Sequence, residues 1–400
     1  MPNKNNKTLR SGWQHVRLGD VVENVNSFFT DRSGEAIRYV AGEHIDEGDL
    51  KVRRCGLTSD EIIPPTFNRL FKAGDVLFHS RNIRKLAQPD FDGLTGEKLF
   101  VLRTKDQSKL SQALLPFLLQ TMNFRNYVEE RWAGSTNKFL NKTPLMAYEF
   151  ALPPVEEQHR LVKLLTSIEG CLASLAEADL ATTALENSRI EDALALVPAD
   201  RVITVDKLVP LGPKNGLSPK ANADERGYPT LSIGAVRDGR IVAEGNTKYA
   251  EISDAEAAAF ELKANDVLVV RGNGNKLLTG RCGLVDVVPK GCFYPDLLIR
   301  LKFDEKIIRP EFAVLQWNSQ STHNRLISRA KSTNGIWKIN GADIRQHALK
   351  VPEVEEQDDL LAEMRAIRSA RKNIATRMTA AQNLKLHALR SIENGGGNGI

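Results

Sequence analysis

Seven histidines, His15, His44, His79, His159, His323, His347 and His387, stand alone in the sequence. None is paired at the three- or four-residue spacing that a zinc site on a helix uses. The cysteines Cys55, Cys171, Cys282 and Cys292 form no C-x₂-C pair, and the last two read as small buried strand residues. Gly272-Asn-Gly-Asn-Lys276 lacks the G-x₄-G-K-S/T frame that cradles a nucleotide phosphate. Its backbone and amide donors suit a turn that faces a polyanion. An amino-methyltransferase needs Asn/Asp-Pro-Pro-aromatic to hold a flipped base, yet Pro64-Pro65 follows Ile63 and Pro153-Pro154 follows Leu152. Glu261-Leu-Lys263 has the tripeptide of a nuclease centre, but the related stretch Asn68-Arg-Leu70 does not, so a solvated strand edge is expected. These residues point to a chain that performs no chemistry of its own.

Charge suggests what it does instead. Lys+Arg outnumber Asp+Glu by 22 to 18 in residues 1–150 and by 23 to 17 in 199–352. Residues 151–198 hold 3 against 8, and 353–400 hold 7 against 7. Two separate basic segments suit polyanion binding at two places. Four hundred residues require two or three domains. Met1 to Arg10 carries no apolar signal core, and no apolar run approaches the roughly 18 residues of a membrane span. A cytoplasmic protein without membrane contact is expected.

The elements that must position these residues come in two copies. Pro153-Pro-Val-Glu-Glu-Gln158 returns as Pro352-Glu-Val-Glu-Glu-Gln357, Ser135-Thr-Asn137 as Ser332-Thr-Asn334, and Asp75-Val-Leu77 as Asp266-Val-Leu268. The order is kept and the offsets stay between 191 and 199 residues, which implies one unit repeated once. Each unit opens with β-type runs, such as Asp75–Phe78, Leu99–Leu102, Val267–Val270 and Leu297–Leu301. A helix is expected over Gln112–Arg131 and over Pro310–Arg329. The fold class is α+β: two mixed α/β domains, 1–152 and 199–351, each followed by a long helix, 153–198 and 352–394, with a Gly-rich tail at 395–400.

Proline and glutamate at the start of each helix fit a first turn and its dipole. Roughly 40 residues at ~1.5 Å each give about 60 Å of helix. Leu360, Met364, Ile367, Arg371, Ile374, Met378, Ala381, Lys385, Ala388 and Ile392 alternate steps of four and three. Leu161, Leu165, Ile168, Leu172 and Leu175 share that rhythm, which then fades through Ala-rich sequence toward Leu194. That period is a coiled-coil seam. The internal twofold repeat makes the pair antiparallel, with the domains expected at opposite ends.

Trp13-Gln-His-Val-Arg-Leu-Gly-Asp20, Gly74-Asp-Val-Leu77, Arg84-Lys-Leu-Ala87, Phe100-Val-Leu-Arg103 and Leu152-Pro-Pro-Val-Glu-Glu-Gln158 resemble the specificity subunit of type I restriction-modification systems. The second unit departs from the pattern, with Val351-Pro-Glu-Val354 in place of Leu-Pro-Pro-Val. The resemblance implies that each domain reads one half of a split, asymmetric site on double-stranded DNA, mainly in the major groove. It implies that the helices measure the spacer and dock two methyltransferase subunits and the restriction (translocase) subunits. S-adenosylmethionine, ATP and Mg²⁺ would then sit on those partners, with no cofactor or metal on this chain. By chemistry and position, the candidate DNA contacts in the first domain are Arg81, Asn82, Arg84, Lys85, Asn137, Lys138 and Lys142. In the second they are Arg271, Asn273, Asn275, Lys276, Lys331, Asn334 and Lys338. The seam residues Leu161, Leu165, Ile168, Leu172, Leu175, Leu360, Met364, Ile367, Ile374 and Met378 would hold the helices and their partners. A coiled-coil adaptor with peptide-binding end domains remains the alternative.

Overall fold

A computed structural model describes residues 9–29, 36–59, 66–333, 335–393 and 395. The chain divides into two units. One comprises Met1–Ala176 with Thr376–Ile400, and the other Glu177–Ala375.

In the first unit, an antiparallel sheet runs in the order Val22–Asn24, Leu99–Thr104, Val76–His79, Leu86–Ala87. A second sheet is ordered Gly56–Leu57, Arg38–Val40, Gly93–Thr95, Arg69–Phe71, with its middle pair parallel. Gln14–Arg17 pairs with Glu149–Leu152 and brings the chain to the mouth of the long helix. In the second unit, a six-stranded sheet is ordered Lys214–Asn215, Leu298–Leu301, Val267–Val270, Cys282–Leu284, Arg240–Ile241, Val236–Arg237. Val202–Thr204 pairs with Ala348–Lys350, as the corresponding ribbon does in the first unit. Both units are therefore mixed α+β, with the apolar runs at the centre of their sheets.

The helices expected over Gln112–Arg131 and Pro310–Arg329 are each broken in two. Leu115–Leu118 is followed by Met122–Glu129, and Pro310–Trp317 by Gln320–Ile327. Thr121 and Ser319 take extended N-cap conformations between the pieces, and Thr121 accepts a hydrogen bond from Phe124 N. A hydroxyl residue there restarts the helix instead of continuing it. Glu261-Leu-Lys263 is likewise no strand edge. It follows the helix Asp254–Phe260, Leu262 is buried, and the Glu261 carboxylate accepts from Gly291 N at 3.2 Å.

The long helices run Val155–Leu196 and Val354–Glu393. Within the first unit, Leu161 and Leu165 join one core with Ala388, Leu389, Ile392, Phe78 and Phe124. Within the second, Ile190 and Leu194 share a core with Leu360, Leu361, Met364, Phe312 and Trp317. In each unit the start of one helix meets the end of the other, so the pairing is antiparallel. The stretch where the apolar rhythm fades keeps its phase with polar residues. Glu186 is buried and meets Arg368 at 2.7 Å and Arg371 at 3.3 Å, and Arg371 also reaches Asp179 at 3.4 Å. Arg189 grips Glu363 through two bonds of 2.7 and 2.9 Å. In the first unit Lys385 meets Glu169 at 2.5 Å. The two cations that interrupted the expected apolar seam, Arg371 and Lys385, therefore face carboxylates. Such pairs add little net stability but penalise every other register.

The repeated glutamine is the bolt that fixes helix to domain. Gln158 is fully buried: its Oε1 accepts from Ser111 N at 2.8 Å, and its Nε2 donates to Lys109 O and Pro153 O at 2.7 and 2.9 Å. Gln357 repeats each bond with Arg309 N, Ile307 O and Pro352 O at 2.8, 3.0 and 2.9 Å. The repeated aspartate closes a turn in the same way in both units. Asp75 accepts from Lys72 N at 2.7 Å and takes Arg103 in a two-point clasp at 2.7 Å. Asp266 accepts from Lys263 N at 3.0 Å and has Lys302 at 3.5 Å. The most specific repeated residues are thus structural.

Candidate nucleic-acid interface

The central strand of each unit ends in a turn, and a loop from later in the chain is tied to it by a backbone hydrogen bond that both units share. In the first unit Leu140 N donates to Ser80 O at 2.7 Å; in the second Ile339 N donates to Arg271 O at 2.9 Å. Both strand and turn are shifted by the same 191 residues as the Asp75 and Asp266 motifs. The two candidate clusters of each domain, far apart in sequence, therefore meet on one surface.

In the first unit, Ala133 and Phe139 exchange backbone bonds of 2.8 and 2.9 Å and close a small loop. Asn137, Lys138 and Lys142 are exposed, and the Lys138 ammonium lies 5.9 Å from the centre of the Trp132 ring. Arg81 is exposed, and its N–H donates to His79 Nδ1 at 3.1 Å. Burial, reinforced by Lys85, Lys98 and Arg81, holds the His79 imidazole neutral, its pKa down at about 4. The other three candidates are engaged within the domain. Asn82 Nδ2 donates to Glu47 at 2.8 Å, Arg84 lies 3.7 Å from the same carboxylate, and Lys85 donates to Gly42 O at 2.5 Å.

In the second unit the surface is a small sheet. Gly272–Asn273 pairs with Ile336–Lys338, which pairs with Lys331–Thr333. The Lys276 ammonium sits 4.5 Å over the Trp337 ring. Asn273 and Asn275 spend their side-chain oxygens on the turn itself, accepting from Asn275 N and Leu277 N at 2.8 and 2.9 Å. Their amide hydrogens are the donors left for a ligand. Arg271 donates to Asp296 O at 3.4 Å; Lys331 and Lys338 are exposed, and Asn334 lies outside the described residues.

Beneath this sheet lies a buried polar support. Thr279 Oγ1 reaches Trp337 O at 3.3 Å, His323 Nε2 meets Thr279 O at 2.9 Å, and Trp317 Nε1 donates to Gly280 O at 2.8 Å. His347 packs edge-on to Trp317, and burial pushes its pKa down to about 3. Trp132, Trp337 and His323 were not singled out from sequence. The aromatic neighbours of basic residues, Arg131-Trp132 and Trp337-Lys338, were a readable signal, because cations stack on such rings.

Among the described residues, no group of three or more His, Cys, Asp or Glu is placed to hold a metal ion. Burial raises the Cys292 thiol to about 12 and the Cys282 thiol further still, so both stay protonated. No described helix is long and apolar enough to cross a membrane.

The architecture defines a class: an internally repeated α+β protein whose two units share a pair of long antiparallel helices. Residues 10–180 match the family model described as type I restriction modification DNA specificity domain. A stretch of 149 residues, 37% of this chain, is 32% identical to the specificity subunit of the type I restriction enzyme EcoKI from Escherichia coli (strain K12) and spans 32% of that relative's length. Over its whole length the fold matches a type I restriction-modification S subunit from M. genitalium, with a TM-score of 0.59 at 12% identity, covering 100% and 99% of the two chains. It also matches a chain of a type I restriction-modification system solved in work on complex assembly, with a TM-score of 0.63 at 17% identity and 98% and 99% coverage. Residues 10–180 are thus similar to a type I restriction modification DNA specificity domain, and the fold over the whole chain is that of the M. genitalium S subunit.

Proposed function

We propose that this chain is the non-catalytic, sequence-reading subunit of a type I restriction-modification complex, recognising a bipartite, asymmetric site on double-stranded DNA. One observation carries the reading. The same construction, a strand-end turn tied to a basic loop, occurs twice in one chain with different side chains on it. Two unlike faces on like frames suit two unlike half-sites.

Basic side chains at each face neutralise phosphates, and the amide donors of Asn273 and Asn275 suit acceptor atoms on base edges. The long helices set the unread spacer and dock two methyltransferase subunits and the restriction subunits. S-adenosylmethionine, ATP and Mg²⁺ act on those partners. The chemistry the partners need is target choice, and this chain supplies it by binding.

Methylome sequencing of cells with and without the chain tests the reading, since it reports both half-sites and the spacer together. A bipartite modified motif that disappears with the chain is expected; an unchanged methylome in cells that hold the methyltransferase would overturn it. The spacer role has its own test. Seven residues inserted into each long helix keep the seam in phase and add about 10 Å, or about three base pairs of spacer. A motif with unchanged spacing in an active variant would remove that role.

A further inference from the structure

The small sheet of the second unit carries an apolar side chain where its counterpart in the first unit has none. Side chains alternate between faces along Ile336–Lys338. A Cβ placed on Gly272 would lie 3.2 Å from Lys338 Cγ and 3.7 Å from Ile336 Cγ2, so both side chains lie on the face that Gly272 leaves open. Lys331 is the cross-strand partner of Lys338 and shares that face. Trp337 and Lys276 occupy the other. Ile336 is 41% exposed, one step along the hairpin from the exposed, mutually opposite Lys331 and Lys338.

An apolar side chain beside a pair of cations matches a ligand that is anionic at its border and apolar further in. The major groove offers that combination: phosphates border it, the thymine 5-methyl is its apolar feature, and a two-stranded ribbon fits its width. In residues 131–142 of the first unit no large apolar side chain is exposed, and Asn137 and Lys138 stand out instead.

We infer that Ile336 reads the 5-methyl group of a thymine in the half-site of the second domain, with Lys331 and Lys338 on the phosphates that border the groove beside it. This rests on the DNA-recognition reading above. It makes a 5-methylpyrimidine the preferred base at one position of one half-site.

The test uses the full chain bound to its methyltransferase partner and duplexes carrying the bipartite motif. Each thymine in turn is replaced by deoxyuridine, which lacks only the methyl. Losing one buried methyl should weaken binding about fourfold at a single position. Ile336→Ala should lose the same factor on the thymine duplex and bind the uracil duplex as the wild type does; Ile336→Val should retain part of the discrimination. Tolerance of uracil everywhere would overturn the inference. So would equal weakening of both duplexes by Ile336→Ala, which would mark a role in shape alone, or a motif without thymine in either half. If no motif is found, the DNA-recognition reading itself fails, a result distinct from a motif that ignores the methyl.

Discussion

The two units are alike where they hold the chain together and unlike where they meet solvent. Gln158 and Gln357 make the same three bonds, and Asp75 and Asp266 close the same turn. The faces built on these frames diverge. In the first, Glu47 engages Asn82 and Arg84, while in the second a lysine covers Trp337 and Ile336 stands exposed. Repetition in this chain therefore marks chiefly the frame, and divergence marks the surface proposed to read DNA.

The largest effect should come from breaking a frame bolt. Gln158→Leu or Gln357→Leu strands one buried N–H and two buried carbonyls, at a cost of about 3 kcal/mol in the affected unit. Urea denaturation followed by hydrogen exchange, which resolves the units, checks it. Since the bonds are equivalent, the two variants should cost the same. A loss in one unit alone would show that the frames differ beneath matching geometry.

This division also explains what was legible beforehand. The frame could be read because its residues recur as Pro-x-Val-Glu-Glu-Gln and Asp-Val-Leu, and because burial imposes a period of two on strands and of 3.5 on the helical seam. The middle of the seam was not legible from apolar residues, because Asp179 and Glu186 continue its phase with charge. The faces proposed to read DNA share little beyond Ser135-Thr-Asn137 and Ser332-Thr-Asn334, and obey no period. Sequence chemistry could nominate Asn82 and Arg84, but it could not show Glu47 folding over from 35 residues earlier.

Breaking the polar seam should cost less. Glu186→Ala removes the carboxylate shared by Arg368 and Arg371 and should destabilise the second unit by about 2 kcal/mol, below a fully buried pair because both arginines keep over a third of their side chains in water. Replacing Glu186 and Arg371 together by leucine should recover most of that. If the double variant stays as weak as the single, the pair is holding more than register.

Acid sharpens the comparison at about 1 kcal/mol. His79, half-buried in the first unit, and His347, buried in the second, are held neutral, with pKa values down at about 4 and about 3. Unfolding restores the ordinary value near 6.5, so the unfolded chain binds more protons between the two. Stability is whole above pH 6.5 and falls with pH through that window, by about 1 kcal/mol per histidine at pH 5.5. The loss levels off near pH 4 in the first unit and near pH 3 in the second. Melting curves of His79→Asn and His347→Asn across this range should each show a flatter acid slope than the wild type. An unchanged slope would mean that carboxylates carry the whole acid response.

The smallest effect on stability bears most directly on the two faces. Glu47 holds Asn82 at 2.8 Å and Arg84 at 3.7 Å on the surface of the first unit. Such exposed contacts contribute well under about 1 kcal/mol, so Glu47→Ala should leave the melting temperature nearly unchanged. It also removes a negative charge beside the turn and releases a guanidinium and an amide. DNA affinity should then rise a few-fold, with a steeper salt dependence as one more cation reaches a phosphate. Titrations at two salt concentrations with the methyltransferase partner present measure both. A rise in affinity without a change in salt slope would assign the gain to lost repulsion. Weaker binding would mean that Glu47 itself touches the DNA, where a carboxylate accepts from the cytosine amino group.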